Sequence, residues 1–340
     1  MVSVVSSPNK NLLKFGVMGC SRIAKKSVLK AIQNCRLAKL EMIGSRDKEN
    51  AHAVAHQFYC DSSGTYDDVL ENKDVDVVYV SLPNTLHEEW AIKALEKGKH
   101  VLCEKPAALS YASDKKMVET AKKNKVRLLE GLMFKYHPQH AKAKELIQNG
   151  TLGNLLKFEG CFSTSDQAGN ILNGALGGGA HNNPAPYPIY ASRMIFEEEP
   201  ISVVCHLKMD TQKNIDVKSD MLLEFQNGKS AFISAALGAY YQSTYSVLGS
   251  KAALRMERAY AVASDRAVKI FLDRDDEITE VLIEPADHFE LMLNDFCEEI
   301  TKGNLGQKNY EEDLLNQAHV LEAGRISHKE KRLVYLKELI

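Results

Sequence analysis

Apolar residues follow two rhythms over the first 135 positions. Short, nearly continuous apolar stretches, LLKFGVMG at 12–19, LAKLEMIGS at 37–45, VDVVYVSLP at 75–83, HVLC at 100–103 and RLLEGLMF at 127–134, read as strands covered on both faces. Between them apolar positions recur at helical spacing, as in Ile23, Ala24, Val28, Leu29 and Ile32, and predict helices over 21–33, 48–58, 66–71, 88–97 and 110–125. Strand and helix in alternation imply a doubly wound parallel sheet over residues 10–135.

The rhythm then changes. After a helix at 137–148 that stops at Gly150, alternating stretches begin at 155, 201, 220, 230, 245, 252, 267 and 280, separated by Gly, Asn or charged residues. That spacing implies a large, mostly antiparallel open sheet in an α+β domain over 136–340, with helices at 187–196, 288–301 and 311–326. The last helix is expected to pack back on the first domain. A broad sheet with few covering helices has a face left for a second copy, so a homodimer or homotetramer through that sheet is expected.

Composition narrows the partners. The chain has 340 residues, 44% hydrophobic and 26% charged, and a formal charge of -2, which suits two ordinary globular domains and gives neither nucleic acid nor a membrane surface a reason to bind. The seven cysteines are scattered without a C-x-x-C pair and read as reduced thiols of a cytoplasmic protein. Residues 1–10 lack an apolar run of signal-peptide length and read as a frayed tail.

Candidate chemistry gathers at the strand ends, because ligands of open α/β sheets bind at the carboxyl edge. The first strand runs into Gly19-Cys20-Ser21-Arg22-Ile23-Ala24, a G-x-G-x-x-A pattern with serine at its second position. Such a turn and the helix after it bring backbone N–H groups and a positive dipole to a pyrophosphate, as in a Rossmann domain. The second strand ends in Ser45-Arg46-Asp47-Lys48. A hydroxyl and a guanidinium there suit a 2′-phosphate, so NADP(H) is preferred, while Asp47 keeps NAD(H) open. The third candidate edge is Leu82-Pro83-Asn84-Thr85-Leu86-His87, and the fourth is Glu104-Lys105-Pro106, where proline ends the strand and leaves Lys105 at the edge. No metal-ligand spacing occurs; His137 and His140 are i, i+3 and are expected to cap a helix and line the site.

The glycine turn with Arg22-Ile23-Ala24, the Pro83-Asn84-x-x-His87 strand end and Glu104-Lys105-Pro106, in this order before an antiparallel domain, resemble the Gfo/Idh/MocA family of nicotinamide-dependent oxidoreductases. The segment Glu130–His140, the Gly177-Gly178-Gly179 run and Tyr187-Pro188-Ile189 are similar to its branch of sugar-nucleotide ketoreductases, which lies near the dihydrodiol and xylose dehydrogenases. The resemblance implies that Lys105 holds the substrate oxygen and that Tyr187, standing where many members have histidine, donates the proton. Asn183 replaces the usual aspartate, which leaves His181 as a substitute acid; Tyr136 and His137 are implied substrate contacts. Cys20, Ser21, Arg22, Ile23, Leu82, Pro83, Asn84, His87 and Glu104 fall at positions that hold the cofactor. An adjacent ammonium is expected to draw the Tyr187 phenol down from its ordinary value of about 10. The implied activity is hydride transfer between NADP(H) and a carbonyl or hydroxyl carbon of a sugar or sugar nucleotide. Alternatives are a trans-dihydrodiol or aldose dehydrogenase, and a non-catalytic nucleotide-binding regulator.

Overall fold

The computed structural model describes residues 12–165, 169–303 and 306–339; the start read as a frayed tail lies outside the described residues. The first half alternates as expected: β1 (Leu13–Met18), α1 (Leu29–Asn34), β2 (Ala38–Gly44), α2 (Lys48–Gln57), β3 (Ser63–Gly64), α3 (Tyr66–Glu71), β4 (Val77–Val80), α4 (His87–Glu96), β5 (His100–Cys103), α5 (Tyr111–Asn124) and β6 (Leu128–Glu130). These strands form a parallel sheet in the order β3-β2-β1-β4-β5-β6. The order reverses direction beside β1, and a crevice for a ligand opens where neighbouring connections run to opposite faces. The helix expected over 21–33 opens with a π-helical turn, Ala24–Val28, before becoming α1.

The second half contains α6 (Pro138–Gln148), β7 (Leu155–Thr164), α7 (Pro186–Phe196), β8 (Ser202–Asp210), β9 (Ile215–Glu224), β10 (Ser230–Leu237), β11 (Gln242–Gly249), β12 (Ala253–Met256), β13 (Val268–Arg274), β14 (Glu277–Ile283), α8 (His288–Thr301), α9 (Tyr310–Glu330) and β15 (Val334–Tyr335). Its sheet runs β14-β13-β12-β11-β7-β10-β9-β8-β15, antiparallel except where β10 lies parallel to β7. The two-residue strands β3 and β15 were invisible to periodicity, since two positions cannot show a period.

Two contacts fix how the halves meet. Arg127, at the entrance to β6, donates through Nε and Nη2 to both carboxylate oxygens of Glu311 on α9 at 2.9 and 2.8 Å, and also pairs with Glu299 of α8. The last long helix is thereby held against the parallel sheet. One continuous apolar core runs from Phe15 and Tyr79 of that sheet through Phe134 to Phe158, Tyr187 and Tyr260 of the second half. Fully burying a ring such as Phe134 stabilises the fold by about 2–3 kcal/mol. The inner face of the open sheet takes the alternate residues Ala231, Ile233, Ala235 and Leu237 of β10, while Phe232 points outward and is 46% exposed.

Helix α7 reaches the inner face because Gly160 of β7 lacks a side chain: a Cβ there would meet the Pro188 Cβ at 2.7 Å. The first turn of α7 is thus pressed on the sheet at the level of β5's carboxyl end, and this turn carries Tyr187.

Candidate active site

The glycine turn has the geometry that a phosphate cradle needs. Gly19 has φ +100°, and a Cβ on it would lie 2.4 Å from the Ser81 carbonyl oxygen, so only glycine lets the turn lie against the end of β4. Ser21, in place of the second glycine, is used rather than merely tolerated. Its Oγ accepts the Ala24 N–H at 3.1 Å and lies 2.5 Å from Ser81 Oγ, which fixes the start of the following helix. The N–H groups of Cys20, Ser21, Arg22 and Ile23 belong to the turn and first helical residues, where a dinucleotide's pyrophosphate would sit.

At the end of β2 the acid and the bases divide their work. Asp47 caps α2, its Oδ1 accepting the Glu49 and Asn50 N–H groups at 3.0 and 3.2 Å. The buried Ser45 Oγ accepts the Asp47 N–H, and Arg46 and Lys48 stand exposed. Burial raises the Tyr66 phenol, and the positive charge of neighbouring Arg46 opposes the rise. A carboxylate occupied in a helix cap and two exposed cations next to a hydroxyl fit a 2′-phosphate better than a 2′-hydroxyl. Tyr66 was not singled out in the sequence; it lies twenty residues away, and only the β2–β3 pairing brings it alongside.

The β4 loop holds the wall of the crevice. Leu82 packs beside Gly19, and Asn84 Nδ2 donates to the Gly177 carbonyl at 2.9 Å, which joins the parallel sheet's edge to the Gly177-Gly178-Gly179 loop. His87 corrects the expectation of a cofactor contact. It is fully buried, with Nδ1 2.8 Å from the Pro106 carbonyl and Nε2 2.9 Å from the Leu82 carbonyl. Neither nitrogen is left for a ligand, and burial lowers its pKa. His87 pins the β4 and β5 loops together instead.

Lys105 and Tyr187 converge. The Lys105 ammonium lies over the Tyr187 ring, 5.2 Å from its centroid, and donates to the Asn183 carbonyl at 3.2 Å. Desolvation lowers the Lys105 pKa, while the charges of Glu104 and Glu130 raise it. Glu104 accepts the Tyr79 hydroxyl at 2.7 Å, which holds that carboxylate under the strand end. The Tyr187 ring packs against Phe134, Phe162 and Tyr260 at centroid distances of 5.7, 4.9 and 6.0 Å, and its hydroxyl is 3.9 Å from the Met133 sulfur.

That setting overturns the expected direction of the Tyr187 shift. Burial, followed by the charge of Glu104, pushes the phenol up. The ammonium faces the ring rather than hydrogen-bonding the oxygen, so it cannot offset the loss of water around a phenolate. Tyr187 is thus held as a neutral phenol.

Four further expectations are redrawn by the geometry. His181 is 2% exposed, its nitrogens 3.0 Å from Ser219 Oγ and 2.8 Å from the Leu321 carbonyl, and burial lowers its pKa to about 3. It faces α9 and offers no acid to Lys105. The Asn183 side chain turns back to the Gly179 carbonyl at 2.8 Å, and only its own carbonyl reaches Lys105. Tyr136 lines a separate cavity of about 560 Å³ with Lys135, Tyr190 and Asp313. His137 caps α6, as expected, but its ring lies against His288 of α8 rather than beside Tyr187. Residues on one loop diverge by half a turn in two or three positions, and sequence spacing does not say which way each points. Among the described residues no group of three or more His, Cys, Asp or Glu could hold a metal ion.

A turn that needs glycine, cations at the next strand end and a lysine–tyrosine pair at a third lie along the carboxyl edge of the parallel sheet, an arrangement suited to hydride transfer with a dinucleotide. Sequence comparison agrees: residues 13–132 match the oxidoreductase family with an NAD-binding Rossmann fold, and 140–255 match the GFO/IDH/MocA C-terminal domain. The chain belongs to the Gfo/Idh/MocA oxidoreductase family. It is 29% identical over 319 residues to dTDP-3,4-didehydro-2,6-dideoxy-alpha-D-glucose 3-reductase of Actinomadura kijaniata, covering 93% of this chain and 96% of that one. It is 27% identical to D-xylose 1-dehydrogenase (NADP(+)) 2 of Haloferax volcanii, with 89% and 93% covered. The crystal structure of a 3-ketoreductase from Actinomadura kijaniata with NADP and TDP-benzene superposes with a TM-score of 0.89 at 28% identity, over 93% of this chain and 98% of that one. The two family models together span residues 13–132 and 140–255.

Proposed function

We propose that this protein is an NADP(H)-dependent ketoreductase of a nucleotide-linked deoxysugar. The convergence of the Lys105 ammonium and the Tyr187 phenol at the carboxyl edge of β5 carries the reading. NADPH, when bound, supplies the hydride. The Gly19–Ile23 turn would hold its pyrophosphate, Ser45, Arg46 and Lys48 its 2′-phosphate, and Leu82, Pro83, Asn84 and Glu104 the approach to the reacting end. Lys105 then holds the substrate oxygen and opposes the charge that develops on it, and Tyr187 passes its proton to that oxygen. Likeness to a 3-reductase of a dTDP-sugar over nearly the full length of both chains supports this substrate class.

Following nicotinamide absorbance with a panel of keto-deoxysugar nucleotides, xylose and dihydrodiols tests the reading. Turnover of a ketosugar nucleotide with NADPH is expected. Oxidation of xylose or a dihydrodiol alone would make the protein a dehydrogenase, and cofactor binding without any turnover would make it a regulator. Arg46→Ala is expected to raise the KM for NADPH by about 10- to 100-fold, the loss of one or two charge-assisted hydrogen bonds, and to leave the KM for NADH within about threefold.

The open sheet supports a self-association surface. Its outer face forms a concavity of about 1290 Å³ lined in part by Val204, Phe232, Tyr240 and Leu282, all exposed. Phe232→Glu is expected to convert a dimer or tetramer into smaller species in light scattering; an unchanged mass would place the interface elsewhere. Among the described residues no helix is long and apolar enough to cross a membrane, and all seven cysteines are free, which supports a reducing, cytoplasmic setting.

A further inference from the structure

Beneath Lys105 the chain has buried two carboxylates that the chemistry above does not use. Glu130, the last residue of β6, pairs in register with Cys103 of β5 and is 6% exposed. Its Oε1 accepts the Ala107 N–H at 3.0 Å. Asp114, on the first turn of α5, is 4% exposed. Glu130 therefore takes an N–H of the segment that follows Lys105-Pro106, with Asp114 buried as a second acid. Among the described residues, Asp114 Oδ1 has no hydrogen-bond partner.

An unpaired ionised carboxylate in such a place is costly, and two neighbouring ones cannot both ionise without penalty. Burial, then Glu130, raises Asp114 well above the carboxylate range, against Arg325 of α9, with Glu88 of α4 adding to the rise. Burial lifts Glu130 to about 7; Asp313 of α9 adds to the rise, and the Ala107 N–H, Lys135 of the β6–α6 connection and Arg193 of α7 oppose it. Asp114 thus carries the proton and Glu130 the charge above neutrality.

We propose that Glu130 is a positioning residue for the reaction: it holds the Pro106–Ala108 segment that presents Lys105, and its carboxylate supplies a negative charge that favours the Lys105 ammonium. The groups that bear on Lys105 are Glu104 beside it and Glu130 from β6, both favouring the ammonium, with burial against it; Lys105 in turn acts on His87 of α4. The inference rests on Lys105 acting in the reduction proposed above, and the wild-type enzyme serves as the control for that reading.

The test is the pH dependence of kcat for ketosugar-nucleotide reduction. Glu130→Gln keeps an oxygen for the Ala107 N–H but never carries charge. Removing a charge that raises the Lys105 pKa lowers that pKa, so the alkaline limb of the variant should move to lower pH. At about pH 9 its kcat should fall about tenfold below wild type, and at about pH 6, where wild-type Glu130 is protonated and position 130 is neutral in both, the two should agree within about twofold. Asp114→Asn replaces an already neutral acid and should stay within about twofold of wild type at both pH values. Superimposable profiles for Glu130→Gln and wild type would overturn the proposal, as would an Asp114→Asn profile displaced like that expected for Glu130→Gln. Should Glu130→Gln not fold, Glu130→Asp decides: a lower kcat with an unmoved alkaline limb supports the hold on the segment and the charge together, and a displaced limb contradicts it. If wild type reduces no ketosugar nucleotide, the functional reading fails instead.

Discussion

Lys105→Ala is expected to lower kcat by about 10²- to 10³-fold while the KM for NADPH stays within about threefold. A donor aimed at developing oxyanion charge acts on the transition state more than on the bound ground state, and removing one such donor has this size of effect. Stability should not suffer. The ammonium is desolvated, and its hydrogen bond in the structure is to the Asn183 carbonyl. A buried charge with one neutral acceptor contributes little to folding, because desolvation opposes what the acceptor and the nearby carboxylates supply. Steady-state kinetics with a thermal melt separates the outcomes: a loss confined to KM would make Lys105 a binding residue, and a collapsed melting temperature would make it structural.

Tyr187→Phe should lower kcat by about 10²- to 10⁴-fold, the usual range for loss of a general acid, with no change in stability. The argument is a comparison of contacts. The ring touches Phe134, Phe162 and Tyr260, all of which phenylalanine keeps, whereas among the described residues the hydroxyl's hydrogen-bond partner is the Met133 sulfur at 3.9 Å. The pH profile gives a second check. Because burial raises the phenol, a neutral donor is present throughout the neutral range, and wild type should show no loss of activity there from Tyr187 ionisation. An alkaline limb near pH 7 to 8 that vanishes in Tyr187→Phe would restore the opposite view, in which the ammonium pulls the phenol down.

Why the direction of that shift escaped the sequence is instructive. Lys105 and Tyr187 could be placed together from their motifs, but their mutual orientation could not, and an ammonium on a ring face differs from one at the hydroxyl. Strand ends were legible because proline and glycine punctuate them: Gly19 at β1 and Pro106 beyond β5 mark the edges where the site lies. The open sheet was legible for a similar reason, its inner and outer residues alternating through β10. Tyr136, His137 and His181 were misdirected because loop residues carry no period from which a facing can be read. Asp114 had a signal that went unused. It falls in step with Met117, Val118 and Ala121, the buried face of α5, and an acid on an apolar stripe marks a buried carboxylate. The lysines of that helix drew attention to its solvated face instead.

The proposal as a whole stands on two groups meeting one substrate oxygen. A crystal structure of the protein with NADP and a nucleotide-linked deoxysugar tests this most directly. The expected result places the sugar's reacting oxygen within hydrogen-bond distance of both Lys105 Nζ and Tyr187 Oη, with the nicotinamide ring beside the carbon that bears it. A sugar ring whose reacting oxygen touches neither group, or a nicotinamide lying away from the edge of β5, would contradict it.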